Sequence, residues 1–114
     1  MKVVYIAGPF TAATSWDIEC NVRRAEAAGL EVAHLGVMPL IPHANTRFFH
    51  GQLGPEFWYD GTAELLLRCD AALFLDGWSV STGCGREREL CREHRLPAFF
   101  AIGDLAHWLK TGIL

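Results

Sequence analysis

Residues 71–91 read AALFLDGWSVSTGCGRERELC, and this stretch decides the fold. The apolar run 71–75 predicts a buried strand, because short apolar runs bounded by turn residues are typical of parallel sheets. The Gly/Ser/Thr-rich segment 77–85 predicts a loop, and the charged segment that follows predicts a helix. A strand, a loop and a helix in this order indicate an α/β protein.

The helix in this stretch carries Glu87 on the side that faces the sheet. Cys84, Leu90 and Cys91 lie three or four residues from Glu87, so these apolar side chains share its face. Burying a carboxylate is costly unless the protein uses it. We therefore expect Glu87 to be a functional residue, and we expect the helix dipole to keep it ionised.

Outward from this stretch, apolar patterns predict further strands over 3–7, 37–41 and 98–102 and further helices over 16–35, 55–69 and 103–111. A rival interpretation ends the first helix at Gly29 and makes 31–35 a strand. We favour one helix that stops at Gly36, since 37–41 has the better strand pattern.

The alternation of strands and helices predicts a single-domain, flavodoxin- or Rossmann-like three-layer α/β sandwich with a mostly parallel sheet of about four strands. In such sheets the ligand lies beyond the carboxyl ends of the strands. Three connections, over 8–15, 42–54 and 76–83, are therefore expected to converge on one site.

Composition excludes several classes of protein. The 114 residues are 51% hydrophobic and 20% charged, which argues against disorder and for one domain. The net charge of −3 does not favour a nucleic-acid polymer or an anionic membrane as partner. The four cysteines and five histidines show no metal-ligand spacing, so we expect no metal and no other cofactor. Without a signal peptide or a membrane-spanning stretch, we expect a cytoplasmic protein.

The first two connections supply candidate ligand contacts. Tyr5 lies near the end of the first strand, and Gly8-Pro9-Phe10 follows it, where glycine lets a ligand approach the backbone closely. His43 opens the second connection. Each of these signals also fits an ordinary turn or loop residue.

In the third connection, Ser81-Thr82-Gly83 precedes a helix N-terminus, where free N–H groups favour an anion such as phosphate. A plain serine cap explains the same pattern. The chain lacks both the Walker A pattern and a G-x-G-x-x-G pattern after its first strand, so neither nucleoside triphosphate nor dinucleotide binding is indicated.

Asp60 is a second candidate carboxylate, early on the second long helix. It shares a face with Ala63 and Leu67, so we expect it to lean toward the core. The alternative is a partly exposed aspartate that complements the helix dipole. Two carboxylates that point into one crevice are typical of glycosidic bond cleavage.

Five segments together resemble the nucleoside 2-deoxyribosyltransferase-like superfamily, and within it a small DUF4406-type branch of phage and bacterial proteins related to 2′-deoxynucleoside 5′-phosphate N-hydrolases. The resemblance covers nearly the whole chain. The segments are YIAGPFT (5–11), NVRRAEAAGLEVAHLG (21–36), PLIPHANTRFF (39–49), WYDGTAELLLRCDAALFLDGW (58–78) and STGCGRE (81–87). The last of them matches the Ser-x-Gly-x-x-x-Glu motif of the family.

The resemblance implies a role for each matching residue. Glu87 is similar to the nucleophile that attacks the anomeric carbon, Asp60 to the aspartate that assists departure of the base, and Tyr5 to the tyrosine beside them. Gly8 and Pro9 match the opening loop of the pocket, and Ser81 and Gly83 match the sugar-5′ or phosphate-binding loop. The family also implies a homodimer or higher homo-oligomer.

Ser81 favours one activity within this superfamily. Relatives that act on free nucleosides tend to carry aspartate at this position, and an aspartate would repel a phosphate. We therefore expect an N-glycoside hydrolase that acts on a (deoxy)nucleoside 5′-monophosphate. A nucleoside deoxyribosyltransferase, a non-catalytic nucleotide-binding module and a purely structural domain remain alternatives.

Overall fold

The chain forms a parallel sheet with helices on both faces. A computed structural model describes residues 1–49 and 51–114, so His50, inside the predicted 42–54 connection, lies outside the described residues. Within them the strands are β1 (Val3–Ala7), β2 (Met38–Leu40), β3 (Ala71–Phe74) and β4 (Ala98–Phe99). The helices are α1 (Ser15–Ala33), α2 (Pro42–Thr46), α3 (Pro55–Leu67), α4 (Thr82–Glu93) and α5 (Ile102–Thr111).

The strand order is β2-β1-β3-β4, and the three pairings are all parallel. The chain leaves β1 toward one edge of the sheet to form β2, and then returns to form β3 on the other side of β1. Flavodoxin-like sheets have the same order, and they bind ligands where the order reverses, beyond the carboxyl ends of the strands. The predicted fold class is therefore confirmed, and the crevice between the ends of β1 and β3 is the expected site.

Each face of the sheet has its own core, because side chains alternate along β1. Val4 and Ile6 point to the face covered by α1 and α5, and Tyr5 and Ala7 to the face covered by α3 and α4. The first core contains Val4, Ile6, Ala25, Val32, Val37, Ala71, Leu73, Phe99 and Leu105. The second contains Tyr5, Ala7, Leu66, Cys69, Ala72, Phe74, Cys84 and Cys91. Tyr5 is thus directed to the same layer as α4.

Helix α1 is a single helix, so the rival interpretation with a strand over 31–35 is wrong. Thr14 caps its start by accepting a hydrogen bond from the Asp17 N–H at 3.1 Å. At its end, Gly36 adopts a φ of +87°, a conformation that glycine reaches without strain.

Three predicted boundaries are wrong. The 42–54 connection contains the short helix α2, which starts at Pro42 in the first-turn position that proline favours. Segment 77–85 contains a 3₁₀ turn over Trp78–Val80, and α4 already begins at Thr82, because Ser81 caps it. Strand β4 ends at Phe99 and not at residue 102, since Ala101 is the N-cap of α5.

Three of the four cysteines, Cys69, Cys84 and Cys91, are buried and free, as expected of small apolar side chains. Among the described residues, no helix is long and apolar enough to cross a membrane.

Gly29 holds α1 close to the segment that follows β2. A Cβ at this position would lie 2.5 Å from Cδ1 and 3.0 Å from Cγ1 of Ile41, so a larger residue fits only if the Ile41 side chain shifts. Gly61, in α3, has open space where a Cβ would stand. The two helical glycines therefore have opposite structural roles.

We predict opposite effects of alanine at these positions. Gly61→Ala should raise the free energy of unfolding by up to about 1 kcal/mol through helix propensity. Gly29→Ala should lower the free energy of unfolding, because overpacking typically costs about 1–3 kcal/mol and outweighs the gain in helix propensity. Urea unfolding of both variants measures the difference. An equal increase in both would contradict the close packing of Gly29 on Ile41.

Candidate functional site

The candidate site is built around a contact between β1 and α4. The Tyr5 hydroxyl donates a hydrogen bond to Oε2 of Glu87. Tyr5 has no exposed surface, and Glu87 is partly buried. On α4, the neighbours of Glu87 on the sheet-facing side are the buried Cys84 and Cys91. The side of α4 that the sequence predicts for Glu87 is therefore the side that the structure gives it.

Burial dominates the electrostatics of this pair. Desolvation raises the pKa of Glu87 to about 7, and the hydrogen bond from Tyr5 opposes that rise. Desolvation, followed by the charge of Glu87 and the hydrogen bond to it, raises the pKa of Tyr5 well above its usual value. Tyr5 therefore remains a proton donor near neutral pH, while Glu87 exists in both protonation states.

The expectation that the helix dipole keeps Glu87 fully ionised is wrong. Glu87 is the sixth residue of α4, which begins at Thr82. The favourable effect of the helix N-terminus fades beyond the first turn. Desolvation therefore outweighs it at this position.

Helix α3 contributes Thr62, which the sequence interpretation missed. Its hydroxyl lies 3.2 Å from the Tyr59 carbonyl oxygen, and the Thr62 side chain, when it donates to Tyr5 instead, lowers the pKa of Tyr5. Thr62 lies four residues before the buried Leu66, so both are on the sheet-facing side of α3. That spacing was the available signal.

Asp60 does not lean toward the core as predicted: it is exposed. The predicted face relied on Ala63 and Leu67, but Leu67 is 38% exposed, and the helix buries Leu66 instead. Asp60 precedes Leu66 by six residues, which places it about 120° around the helix. Asp60 and Glu87 therefore differ in environment, one open to solvent and the other partly buried.

The loops that follow β1 and β3 approach each other closely at the carboxyl ends of these strands. Gly8 is buried, and a Cβ there would come within 3.1 Å of the Leu75 side chain. A Cβ on Gly77 would lie 3.2 Å from Cγ of Pro9, and Gly77 has a φ of +89°. This close approach explains glycine at both positions. Gly8 and Pro9 thus line the junction of the two loops.

His43 packs against the first loop, where it contacts Pro9 and Phe10. Nε2 of His43 lies 3.0 Å from the Pro9 carbonyl, and its ring meets that of Phe10 edge-on with centroids 5.5 Å apart. Burial lowers the pKa of His43, although hydrogen bonds to the Pro9 and Gly8 backbone oppose that shift. Because His43 is only 6% exposed, its observed contribution is to hold the backbone of the loop.

Ser81 caps α4, and Gly83 lies in its first turn. The Ser81 Oγ accepts a hydrogen bond from the Cys84 N–H at 3.3 Å. A Cβ on Gly83 would stand 3.5 Å from Cε1 of Tyr59, so the starts of α3 and α4 are close together. The Arg86 guanidinium covers the Tyr59 ring at 4.2 Å. Sequence reasoning missed this contact, because an arginine in a mixed-charge segment carries no sign of its partner.

Among the described residues, no group of three His, Cys, Asp or Glu side chains is arranged to hold a metal ion. The site therefore offers a carboxyl, a phenol and two hydroxyls, from Glu87, Tyr5, Thr62 and Ser81. A carboxyl of this kind can act as a nucleophile when ionised and as an acid when protonated.

We predict that Glu87 makes stability depend on pH. Its pKa is about 7 in the folded chain against an ordinary 4.5, so the folded chain binds this proton more tightly than the unfolded chain. Wild-type stability should therefore fall as the pH rises from about 4.5 to about 7. Across that window Glu87→Gln should gain up to about 3 kcal/mol relative to wild type.

Urea unfolding at pH 5 and pH 8 measures this gain. The matched control is Glu89→Gln on the same helix, because the Glu89 side chain is 62% exposed. Equal pH dependence of wild type and Glu87→Gln would show that the Glu87 carboxyl is not desolvated.

Comparison with known proteins adds one finding. None of the curated proteins compared with the chain matches it. The model of a domain of unknown function, DUF4406, matches residues 2–100, which include β1 to β4 and the whole Tyr5–Glu87 site. Helix α5 lies beyond the matched residues. Because the match covers most of the sequence, the chain belongs to the DUF4406 family.

Proposed function

We propose that the chain is an N-glycoside hydrolase that releases the base from a (deoxy)nucleoside 5′-monophosphate through a covalent glycosyl–Glu87 intermediate. One observation carries the proposal: a partly buried glutamate is hydrogen-bonded by a buried tyrosine of β1, the strand beside which the strand order reverses. The resemblance of STGCGRE and its companion segments to the nucleoside 2-deoxyribosyltransferase-like superfamily supports it further.

In the first step, a carboxylate oxygen of ionised Glu87 attacks the anomeric carbon of the sugar. The bond from that carbon to the base nitrogen breaks, its electron pair stays on the base, and the base takes up a proton. In the second step, water attacks the anomeric carbon of the glycosyl ester, gives up one proton to Asp60 or to solvent, and breaks the bond from that carbon to the Glu87 oxygen. This releases the sugar phosphate and restores the Glu87 carboxylate, as in retaining glycosidases.

Tyr5 orients the nucleophile in this mechanism. Its hydrogen bond occupies Oε2 of Glu87, which leaves Oε1 for the anomeric carbon. The same bond lowers the pKa of Glu87, and so it increases the ionised fraction near neutral pH. Thr62 acts through Tyr5 and is a positioning residue.

Asp60 is proposed to contact the departing base from the solvent side of α3. Its exposure is compatible with a residue at the mouth of the crevice, and proton donation to the base can there proceed directly or through water. Ser81 and Gly83, at the start of α4, are proposed to receive the 5′-phosphate, because helix N-termini favour anions.

We predict that Glu87→Gln abolishes base release while the protein remains folded. An amide of the same shape keeps the packing but cannot form the glycosyl ester. Free base is quantified chromatographically after incubation with each nucleoside monophosphate, and circular dichroism checks the fold. Glu89→Gln is the control and should keep the wild-type rate. A Glu87→Gln variant with the wild-type rate would refute the covalent mechanism.

Tyr5→Phe should move the pH profile. Loss of the hydrogen bond raises the pKa of Glu87 above its value of about 7. Since the ionised form is the nucleophile, the acid limb of kcat/KM should shift to higher pH. An unchanged limb together with a lower rate would mean that Tyr5 only shapes the crevice.

A non-catalytic nucleotide-binding module is the second candidate, and the exposed Asp60 favours it, because no second carboxylate then assists the reaction. A nucleotide would raise the melting temperature without releasing base.

Adding a second free base during the assay distinguishes transfer from hydrolysis, because a transferase forms the exchanged nucleotide or nucleoside instead of the free sugar phosphate.

A homodimer or higher homo-oligomer is also proposed. Exposed apolar side chains gather in the segment that leads into α3, and clusters of this kind favour association. They are Phe48 (82% exposed), Phe49, Leu53 and Phe57. Sedimentation velocity of the wild type and of Phe48→Ser measures the association.

A further inference from the structure

A second groove lies at the other edge of the sheet. It has a volume of about 530 Å³ and runs along β4, between α4 and α5. Strand β3 separates β4 from β1, which carries Tyr5. The groove is therefore distinct from the Tyr5–Glu87 crevice. Its far wall includes Asp104 and His107 of α5, a helix beyond the residues that define the family.

The charge of this groove is opposite to that of the chain. Arg88, Arg92 and Arg95 all line it. Arg88 and Arg92 are four residues apart and share a face of α4, and Arg95 follows the C-cap of the helix. Asp104 is the acidic side chain among the lining residues. Like charges on one helical face repel each other, so such a stripe is unfavourable without a compensating anion. The chain as a whole has a net charge of −3.

Part of this charge already has partners. Arg92 lies 3.8 Å from a carboxylate oxygen of Glu89, and Arg88 lies 5.4 Å from the centre of the Phe100 ring. The Arg92 contact is between two exposed side chains, which stabilises little. Cations near a helix C-terminus also interact favourably with the dipole. The helix dipole therefore explains a cation at Arg92, but it does not explain the backbone conformation of Arg95.

Arg95 is the non-glycine residue with a positive φ, 54°, among the described residues. It closes α4: its N–H bonds the Arg92 carbonyl at 3.3 Å, and the Leu96 N–H bonds the Cys91 carbonyl at 2.9 Å. Glycine is the usual residue at this position of such a motif, because a side chain in the left-handed conformation costs about 1 kcal/mol. An arginine there sacrifices stability and adds a third guanidinium to the groove.

The backbone of β4 adds a donor. In the parallel pairing, the Ala72 N–H bonds the Pro97 carbonyl at 2.9 Å, and Ala72 stands opposite Ala98 in the register. In a parallel ladder this geometry turns the N–H and C=O of Ala98 away from β3. Ala98 therefore presents its N–H to the groove.

We propose that this groove binds a small polyanion that carries phosphate or carboxylate groups. The groove has three guanidinium groups, from Arg88, Arg92 and Arg95. A planar guanidinium can donate two parallel hydrogen bonds to two oxygens of one phosphate or carboxylate group, and the Ala98 N–H adds a neutral donor. The volume is in the range of small-molecule sites. A single outward N–H on a two-residue strand is too little for an added peptide strand, which makes the small ligand the better occupant.

The test is a thermal-shift measurement with pyrophosphate and with citrate, against sodium chloride at matched ionic strength. At about ten times the dissociation constant, the wild-type melting temperature should rise by about 4–8 °C. Arg95→Gly should melt at or above the wild-type temperature without ligand, because glycine relieves the left-handed conformation. It should lose most of the ligand-induced rise, and so should Arg92→Gln.

Two controls locate the effect. Arg68→Gln, at the C-cap of α3, removes the same charge outside the groove and should respond like the wild type. Ser81→Ala removes the proposed 5′-phosphate contact at the start of α4, and it should keep the part of the rise that Arg95→Gly loses. A wild type with no response beyond sodium chloride, or an undiminished response in Arg95→Gly and Arg92→Gln, would overturn the proposal. Neither result depends on base release.

Discussion

A carboxyl group inside the sheet-facing layer of an α/β protein needs a partner, and here that partner is a phenol on the first strand. Tyr5 comes from an inward position of β1 and Glu87 from the second turn of α4, 82 residues later in the chain. Their contact joins the central strand to the helix that covers it. Burial of the pair brings the pKa of Glu87 close to neutrality, which fits its proposed role as the nucleophile.

The surrounding loops meet at the carboxyl ends of β1 and β3, the two strands between which the strand order reverses. Gly8 and Gly77 allow the first and third connections to meet, and the neutral, buried His43 fixes the Pro9 carbonyl. A charged His43 imidazole would be costly to bury at this junction, and the neutral form avoids that cost. These residues therefore shape the site without taking part in the proposed bond cleavage.

Local sequence rules predicted a large part of this arrangement and failed where tertiary packing decided the outcome. The order of strands and helices, the stop of α1 at Gly36 and the sheet-facing side of Glu87 follow from period and turn chemistry. The face of Asp60 does not, because the rotation of α3 is set by Leu66 packing on the sheet. Likewise, α4 includes Gly83 and Gly85, since the Ser81 cap and the core contacts of Cys84 outweigh their low helix propensity. The spacing from Leu66 places Thr62 on the buried side of α3, but a threonine there gives no indication of a function until its neighbour, Tyr5, is known.

The proposed chemistry depends on the desolvation of Glu87 beside Tyr5. An NMR titration of the Glu87 side-chain carboxyl carbon measures the resulting pKa most directly. A titration midpoint near 7 in the wild type is the result that the structure predicts. A midpoint near 4.5, the ordinary value for glutamate, would contradict it, because the carboxyl would then be exposed to water.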